Sequence, residues 1–319
     1  MSQTNRQNAT ALPPEAPLLE VRNLSVAFGR GRKRFEALKN ISFSIYPGET
    51  FGVAGESGSG KTTLGRAILR IYPPSQGGVY YKGAKISGPI GKAEDRRLTR
   101  NMQMIFQDPM SSLNERAKVE AIVSEGLQNL SRVSPDTRRA KVKNALKEVG
   151  LRPEFADRFP HEFSGGQRQR IGIARAMIME PEFIVADEPV SALDVSVRAQ
   201  VLNLMSRLRR EKGLSYLFIS HDMSVMRYIC DRVAALYQGV MVELADTETL
   251  FTRPMHPYTR ALLSAVPLPD PALEKNKTLT VYDPSAHDYT KDAPSLREVE
   301  PGHFVFCNEA EQKLGFDFL

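Results

Sequence analysis

The run Gly55, Glu56, Ser57, Gly58, Ser59, Gly60, Lys61, Thr62 and Thr63 carries the most specific chemistry in the chain. Its spacing is G-x-x-x-x-G-K-[ST], preceded by the apolar segment Glu49 to Ala54 and followed by a helix-forming stretch from Lys61 to about Arg70. Glycines let backbone N–H groups converge on phosphate oxygens, and a helix start adds partial positive charge. Lys61 has the length to reach the β and γ phosphates of a nucleoside triphosphate, and the Thr62 hydroxyl offers an oxygen to Mg²⁺. A second segment, Phe183 to Ala186, ends in the carboxylates Asp187 and Glu188. Standing alone it would be a strand running into a solvated acidic turn. Behind a phosphate-binding loop, Asp187 is expected to hold the hydrated metal. Glu188 is expected to orient or deprotonate an attacking water, because alternation along a strand turns neighbouring side chains to opposite sides. Ser164, Gly165, Gly166 and Gln167 open a further helical segment and form a serine-capped anion site. Two phosphate-seeking termini share a single loop lysine, which fits a second terminus that caps the γ-phosphate held by another subunit.

These residues need elements to hold them. Leu18 to Phe28 and Ile41 to Ile45 read as strands, as does Glu49 to Ala54. Ala117 to Gly150 has helical spacing, with a fresh helix start expected at Ser134 and Pro135. The helix after Ser164 repeats Ile171, Ala174 and Ile178 at helical intervals. Phe183 to Ala186 and Tyr216 to Ile219 are short continuous apolar runs suited to buried parallel strands, separated by a helix from Val195 to Arg210. This alternation predicts an α/β core. After about Asp246 the pattern weakens and Pro254, Pro257, Pro267, Pro269 and Pro271 crowd the sequence, which marks a small carboxy-terminal extension.

With 319 residues, 41% hydrophobic and 25% charged, the chain has ordinary globular composition, and neither disorder nor a fibrous fold is expected. Apolar runs such as Val233 to Tyr237 are far shorter than the ~20 residues of a spanning helix, so the chain does not cross a membrane by itself. Residues 1–17 are polar, Pro-rich and without the apolar core of a secretory signal, and read as a disordered cytoplasmic leader. Cys230 and Cys307 form no CxxC pair, so neither a disulfide framework nor a thiol zinc site is indicated. The net charge of +6 decides nothing alone. Its densest basic run, Arg30 to Arg34, lies between strand-like segments and reads as a solvated loop; no nucleic-acid partner is expected.

The loop at Gly55, the segment Phe163 to Arg170 (FSGGQRQR) and Val185 to Pro189 (VADEP) together resemble the ATPase subunits of ABC transporters, in family order and over about Leu18 to Asp246. The resemblance implies an α/β P-loop NTPase of ABC type, spanning 18–246 with a helical subdomain at about 108–180, followed by an extension at 247–319. It implies ATP and Mg²⁺ as ligands. By the same resemblance, Gln107 looks like the glutamine that senses Mg²⁺ and the attacking water and contacts the membrane partner. Ser191 to Asp194 looks like the loop crossing the dimer interface, with Asp194 beside the nucleotide. His221 looks like the switch histidine contacting the γ-phosphate, although alone it would pass for a helix cap. Phe28, ending the first strand, is the expected adenine-stacking aromatic, with Phe35 the alternative. Narrower wording, GESGSGKTTLGRAILR, MQMIFQDPMSSLN, SALDVSVRAQVLNLM and His256 to Leu263 (HPYTRALL), is similar to the oligopeptide and dipeptide importer branch, closer to its F-type ATPase subunit. That implies a peripheral protein at the cytoplasmic face of the membrane, integral-membrane permease subunits, a second ATPase subunit that is a paralogue or an identical copy, and an extracytoplasmic substrate-binding protein. Importers of nickel, glutathione or oligosaccharide share the branch, and a soluble ABC ATPase acting on nucleic acid is the alternative from another class. Two departures stand out. The chain reads Leu113, Asn114, Glu115, Arg116 where the branch usually has LNPR. Only Cys307 lies in the extension, so four thiolates from this chain cannot hold an iron–sulfur cluster.

Overall fold

The computed structural model describes residues 16–108, 112–130, 133–267, 277, 279–290 and 292–315. Of the expected leader, all but Ala16 and Pro17 lies outside the described residues. The chain opens with β1 (Leu19–Phe28) and β2 (Phe35–Ile45), paired antiparallel from Leu19 opposite Ile45 to Phe28 opposite Phe35. The second strand thus begins well before Ile41, because cross-strand pairing rather than apolar alternation carries its polar first half. The basic run between them forms a short 3₁₀ turn at Gly31–Lys33, and its described side chains are exposed, as a solvated loop requires.

Next come β3 (Thr50–Ala54), α1 (Lys61–Ile68), β4 (Gln76–Tyr81), β5 (Ala84–Lys85), α2 (Lys92–Asn101) and β6 (Met102–Ile105). Helices α3 (Val119–Leu130), α4 (Pro135–Glu148) and α5 (Gly165–Met177) pack together before the chain returns through β7 (Phe183–Asp187), α6 (Val195–Lys212), β8 (Ser215–Ser220), α7 (Met223–Ile229), β9 (Arg232–Tyr237) and β10 (Val240–Asp246). The start of α4 is set as its sequence suggests: Ser134 caps it by accepting from the Thr137 N–H, and Pro135 occupies the first turn.

One antiparallel sheet runs β2-β1-β4-β5. The larger sheet is parallel through β6, β7, β8, β3 and β9, then continues antiparallel into β10. Every residue of β3, β7 and β8 is buried, which explains their unbroken apolar runs. Alternation sorts the two faces. Phe183 and Val185 join the core shared with α1 and the antiparallel sheet, whereas Ile184 and Ala186 join the core built by α3 to α6. The strands therefore end together at the loops after β3, β7 and β8, and those loops form the site.

Beyond residue 246 the chain adds α8 (Thr247–Thr252), α9 (Pro257–Ser264), β11 (Ser295–Glu300), β12 (His303–Cys307) and α10 (Glu309–Leu314). This part shares the core sheet: β12 pairs with β10, Glu243 opposite Val305 and Leu244 opposite Phe304, and β11 pairs with β12. Cys230 and Cys307 are both buried and free. Among the described residues, no helix is long and apolar enough to cross a membrane.

Candidate functional site

The loop between β3 and α1 closes tightly because two of its glycines leave no room for a side chain. Gly55 has φ +153° and Gly60 φ +108°, and a Cβ at either would meet a backbone carbonyl, of Leu236 and Ala37 respectively. Lys61 is only 5% exposed, and its Nζ donates to the Gly55 and Glu56 carbonyls at 2.7 Å each. Burial pulls the ammonium pKa below its usual value, and Glu188, Asp187 and Glu56 oppose that pull. The Ser59 hydroxyl is buried with no protein partner. A buried loop hydroxyl without a partner and a buried lysine whose ammonium is held by two backbone carbonyls are what an incoming phosphate would satisfy.

Asp187, at the end of β7, is 3% exposed and accepts from the Thr62 hydroxyl at 3.0 Å. Burial raises its carboxyl pKa, with Glu188 adding to the rise and Thr62, Arg66 and Lys61 opposing it. A buried carboxylate paired with a hydroxyl supplies hard oxygen donors of the kind Mg²⁺ takes. Among the described residues no group of three or more His, Cys, Asp or Glu is arranged to hold a metal, so these two oxygens fit an ion completed by substrate phosphates and water rather than a protein cage.

Glu188 is set differently from the sequence expectation. The strand stops at Asp187, and Glu188 has φ +46°, a left-handed conformation rare for a residue with a side chain. Its N–H donates to the Ile219 carbonyl at 2.9 Å, and its carbonyl accepts from Ser191 N–H and Oγ at 3.3 and 3.1 Å. The turned backbone, rather than strand alternation, therefore directs the carboxylate away from Asp187. At its Oε2 two distant residues meet: Gln107 Nε2 donates at 3.0 Å, and His221 Nδ1 lies 3.1 Å away. Holding a side chain in this conformation costs of order 1–3 kcal/mol, which the hydrogen bonds at both ends of the Glu188 peptide offset.

A cavity of about 1020 Å³ joins these groups, lined by the phosphate loop, Gln107, Glu188 and His221. Phe28 and Phe35 face each other across the β1–β2 ladder and both line it. Phe28 is 39% exposed and meets Tyr72 edge-on at 5.1 Å, whereas Phe35 is 64% exposed. Part of the wall was not foreseen: Tyr237, Tyr258 and the stretch Leu279 to Tyr282 also line the cavity. The wording HPYTRALL was the available signal, but it marked a branch, not a position.

Ser164, Gly165, Gly166, Gln167 and Asp194 do not line this cavity. Ser164 caps α5 through a reciprocal pair, its Oγ accepting from Gln167 N–H at 3.4 Å while Gln167 Oε1 accepts from Ser164 N–H at 3.0 Å. Ser164 and Gly165 are exposed. A Cβ on Gly166 would overlap Val197 at the start of α6, so the glycine lets the two helix starts approach and brings Asp194, at the N-cap position of α6, to the same surface. That surface is separate from the cavity within one chain.

An ABC transporter family model matches residues 38–191, and a model for the oligopeptide/dipeptide transporter carboxy-terminal region matches 242–292. The chain is 59% identical over 295 residues to the oligopeptide transport ATP-binding protein OppF of Streptococcus pyogenes, covering 92% of this chain and 96% of that protein. It is 52% identical to OppF of Bacillus subtilis, over 93% and 98% of the two chains, and 48% identical to the dipeptide transport ATP-binding protein DppF of Lactococcus lactis, over 93% and 96%. Among solved structures, a dimeric ATP-binding cassette in a post-hydrolysis state, bound to ADP and phosphate, superposes with a TM-score of 0.65 at 29% identity, covering 72% of this chain and 98% of that one. With the phosphate loop, the buried Asp187–Thr62 pair and these likenesses together, the chain belongs to the ABC transporter ATP-binding proteins, in the oligopeptide and dipeptide branch.

Proposed function

We propose that this protein is the F-type ATP-hydrolysing subunit of a peptide importer and couples ATP binding and hydrolysis to uptake of di- or oligopeptides. The observation that carries the hydrolytic part is the meeting of Gln107 and His221 at one oxygen of Glu188, beside Asp187 and Thr62. Phosphates bind the loop N–H groups and Lys61. Asp187 and Thr62 hold Mg²⁺, which when bound neutralises charge on the β and γ phosphates. Glu188 accepts the proton of the attacking water, Gln107 orients that water, and His221 contacts the γ-phosphate. The adenine stacks on Phe28.

The surface that Ser164 to Gln167 form, with Ser164 and Gly165 exposed, and Asp194 complete the site of a second ATPase subunit, and that subunit completes this one. ATP binding then favours the closed pair, and hydrolysis releases it. The partner is a paralogue, since F-type wording implies a D-type mate. Permease subunits dock near Gln107; the neighbouring Phe106, with Gln103, Glu125 and Arg175, lines a separate groove of about 570 Å³ that could receive them. The protein sits at the cytoplasmic face of the membrane, and a substrate-binding protein delivers peptide from the other side. Purifying the intact assembly, counting subunits and measuring peptide uptake in proteoliposomes tests this reading. One copy of this chain beside one paralogous ATPase, with ATP-dependent peptide uptake, is expected. Two copies of this chain would refute the heterodimer, and ATP turnover without peptide uptake would refute the cargo.

A further inference from the structure

The nucleotide cavity has a wall that the hydrolytic residues do not supply. Tyr258, on α9, is 1% exposed, and its hydroxyl accepts the Glu56 N–H of the phosphate loop at 3.0 Å, across 202 residues of sequence. Its ring is held by Tyr237 at 4.6 Å and Tyr282 at 5.7 Å between centroids. Its helix is held in turn by Glu243 of β10, whose buried carboxylate accepts from the Met255 and His256 N–H groups at 2.8 and 3.0 Å. His256 Nδ1 then accepts the Tyr258 N–H at 3.1 Å. A path of hydrogen bonds therefore runs from β10 of the core sheet through His256 and Tyr258 to the phosphate loop. Along the same rim, Thr280 N–H donates to Ser264 Oγ at 3.0 Å and fixes the neighbouring chain. Leu279 and Val281 flank that anchor, line the cavity, and are 65% and 87% exposed. Two exposed aliphatic side chains on the wall of a cavity that Phe28 and Phe35 also line offer it an apolar surface.

We propose that the carboxy-terminal extension is part of the nucleotide site. Tyr258 is a positioning residue that sets the phosphate loop through Glu56, and Leu279 and Val281 form an apolar wall for the purine. This rests on the reading of the cavity as an ATP site, and it adds to that reading a base-recognition surface outside the ATPase core.

The test is calorimetric binding of ATP and of inorganic tripolyphosphate, which lacks base and ribose, to the full-length chain. Tyr258→Phe keeps the ring packing and removes only the acceptor. It should weaken both ligands alike by about fivefold, the worth of one hydrogen bond, while leaving the thermal midpoint within about 2 °C of wild type. The double variant Leu279→Ser/Val281→Ser should weaken ATP by about fivefold to tenfold and leave tripolyphosphate unchanged. Unchanged affinity in Tyr258→Phe, or a loss confined to ATP, overturns the positioning role. No loss in the double variant, or an equal loss for both ligands, overturns the apolar wall. Lys61→Ala separates the two readings. If it binds ATP as wild type does, the cavity is not the ATP site; if it loses both ligands while the other variants behave as wild type, only the present inference falls.

Discussion

Glu243→Gln isolates what attaches the extension to the core, and its effect follows from counting donors. The Glu243 side chain is fully buried. One oxygen takes the Met255 N–H at 2.8 Å and His303 Nε2 at 2.7 Å, and the other takes the His256 N–H at 3.0 Å. Glutamine has the same shape, so no cavity opens, but it keeps only one acceptor oxygen. In the better orientation its NH₂ group confronts the His256 N–H, which loses a charge-assisted hydrogen bond worth about 1.5–3 kcal/mol and buries two donors head to head. Leaving that donor unsatisfied at a fully buried site adds a desolvation cost of roughly 1–3 kcal/mol, so a loss of about 3 kcal/mol is expected. The penalty falls on the turn at Met255 and His256 that starts α9 and on β12, because they contact Glu243, and not on the parallel strands. Native-state hydrogen exchange reads this directly. Amides of Met255, His256 and residues 303–307 should exchange about two orders of magnitude faster than in the wild-type protein, while those of β3, β7 and β8 stay protected. Exchange at Met255 and His256 within about threefold of wild type would refute the argument that this carboxylate holds the extension.

Three other outcomes follow from the same geometry. Phe28→Ala should weaken ATP by about 1–3 kcal/mol in a binding titration, with little loss of turnover at saturation; if Phe35→Ala does this and Phe28→Ala does not, the stacking residue is the more exposed of the pair. His256 is held neutral, its pKa lowered to about 3 by burial, then by His287 and Arg260, against an ordinary value of 6.5. Between those values the unfolded chain takes up a proton that the folded chain refuses, so its contribution to stability is complete above pH 6.5 and falls as pH drops toward 3. Urea titrations should show a loss on the order of 1 kcal/mol from this group by pH 5.5, absent in His256→Asn, which retains a side-chain acceptor for the helix start. Finally, Ser164→Ala should leave ATP binding to its own chain unchanged and cut turnover at the partner's site; weakened binding in cis would contradict the exposed position of the serine.

What could be read from the sequence was local. The phosphate loop was legible because its backbone is written in one run of residues, where glycines at 55 and 60 serve tight packing. The start of α4 was legible because Ser134 and Pro135 act on the turn they begin. Strands β7 and β8 announced themselves because burial on both faces forces apolar residues throughout. Features made by distant partners were not visible. The early start of β2 depends on pairing with β1, and Ser295–Glu300 and His303–Cys307 are short, half-buried strands whose reason to exist is the edge of β10. The backbone reversal at Glu188 leaves no mark in an acidic residue after a strand. Tyr258 sits in a recognisable phrase, yet its contact with Glu56 exists only after the extension has folded onto the core.

The central claim is that Glu188 drives hydrolysis at this cavity while taking no part in holding ATP. Parallel measurement of ATP affinity and single-turnover hydrolysis in the assembled transporter, with wild type and Glu188→Gln, tests it most directly. The phosphate contacts of the loop and Lys61 survive that substitution. ATP should therefore bind with wild-type affinity, hydrolysis should fall by about 10² or more, and the nucleotide should remain trapped in a closed dimer. Hydrolysis at the wild-type rate would contradict the account, because the carboxylate on which Gln107 and His221 converge would then not be the group that activates water.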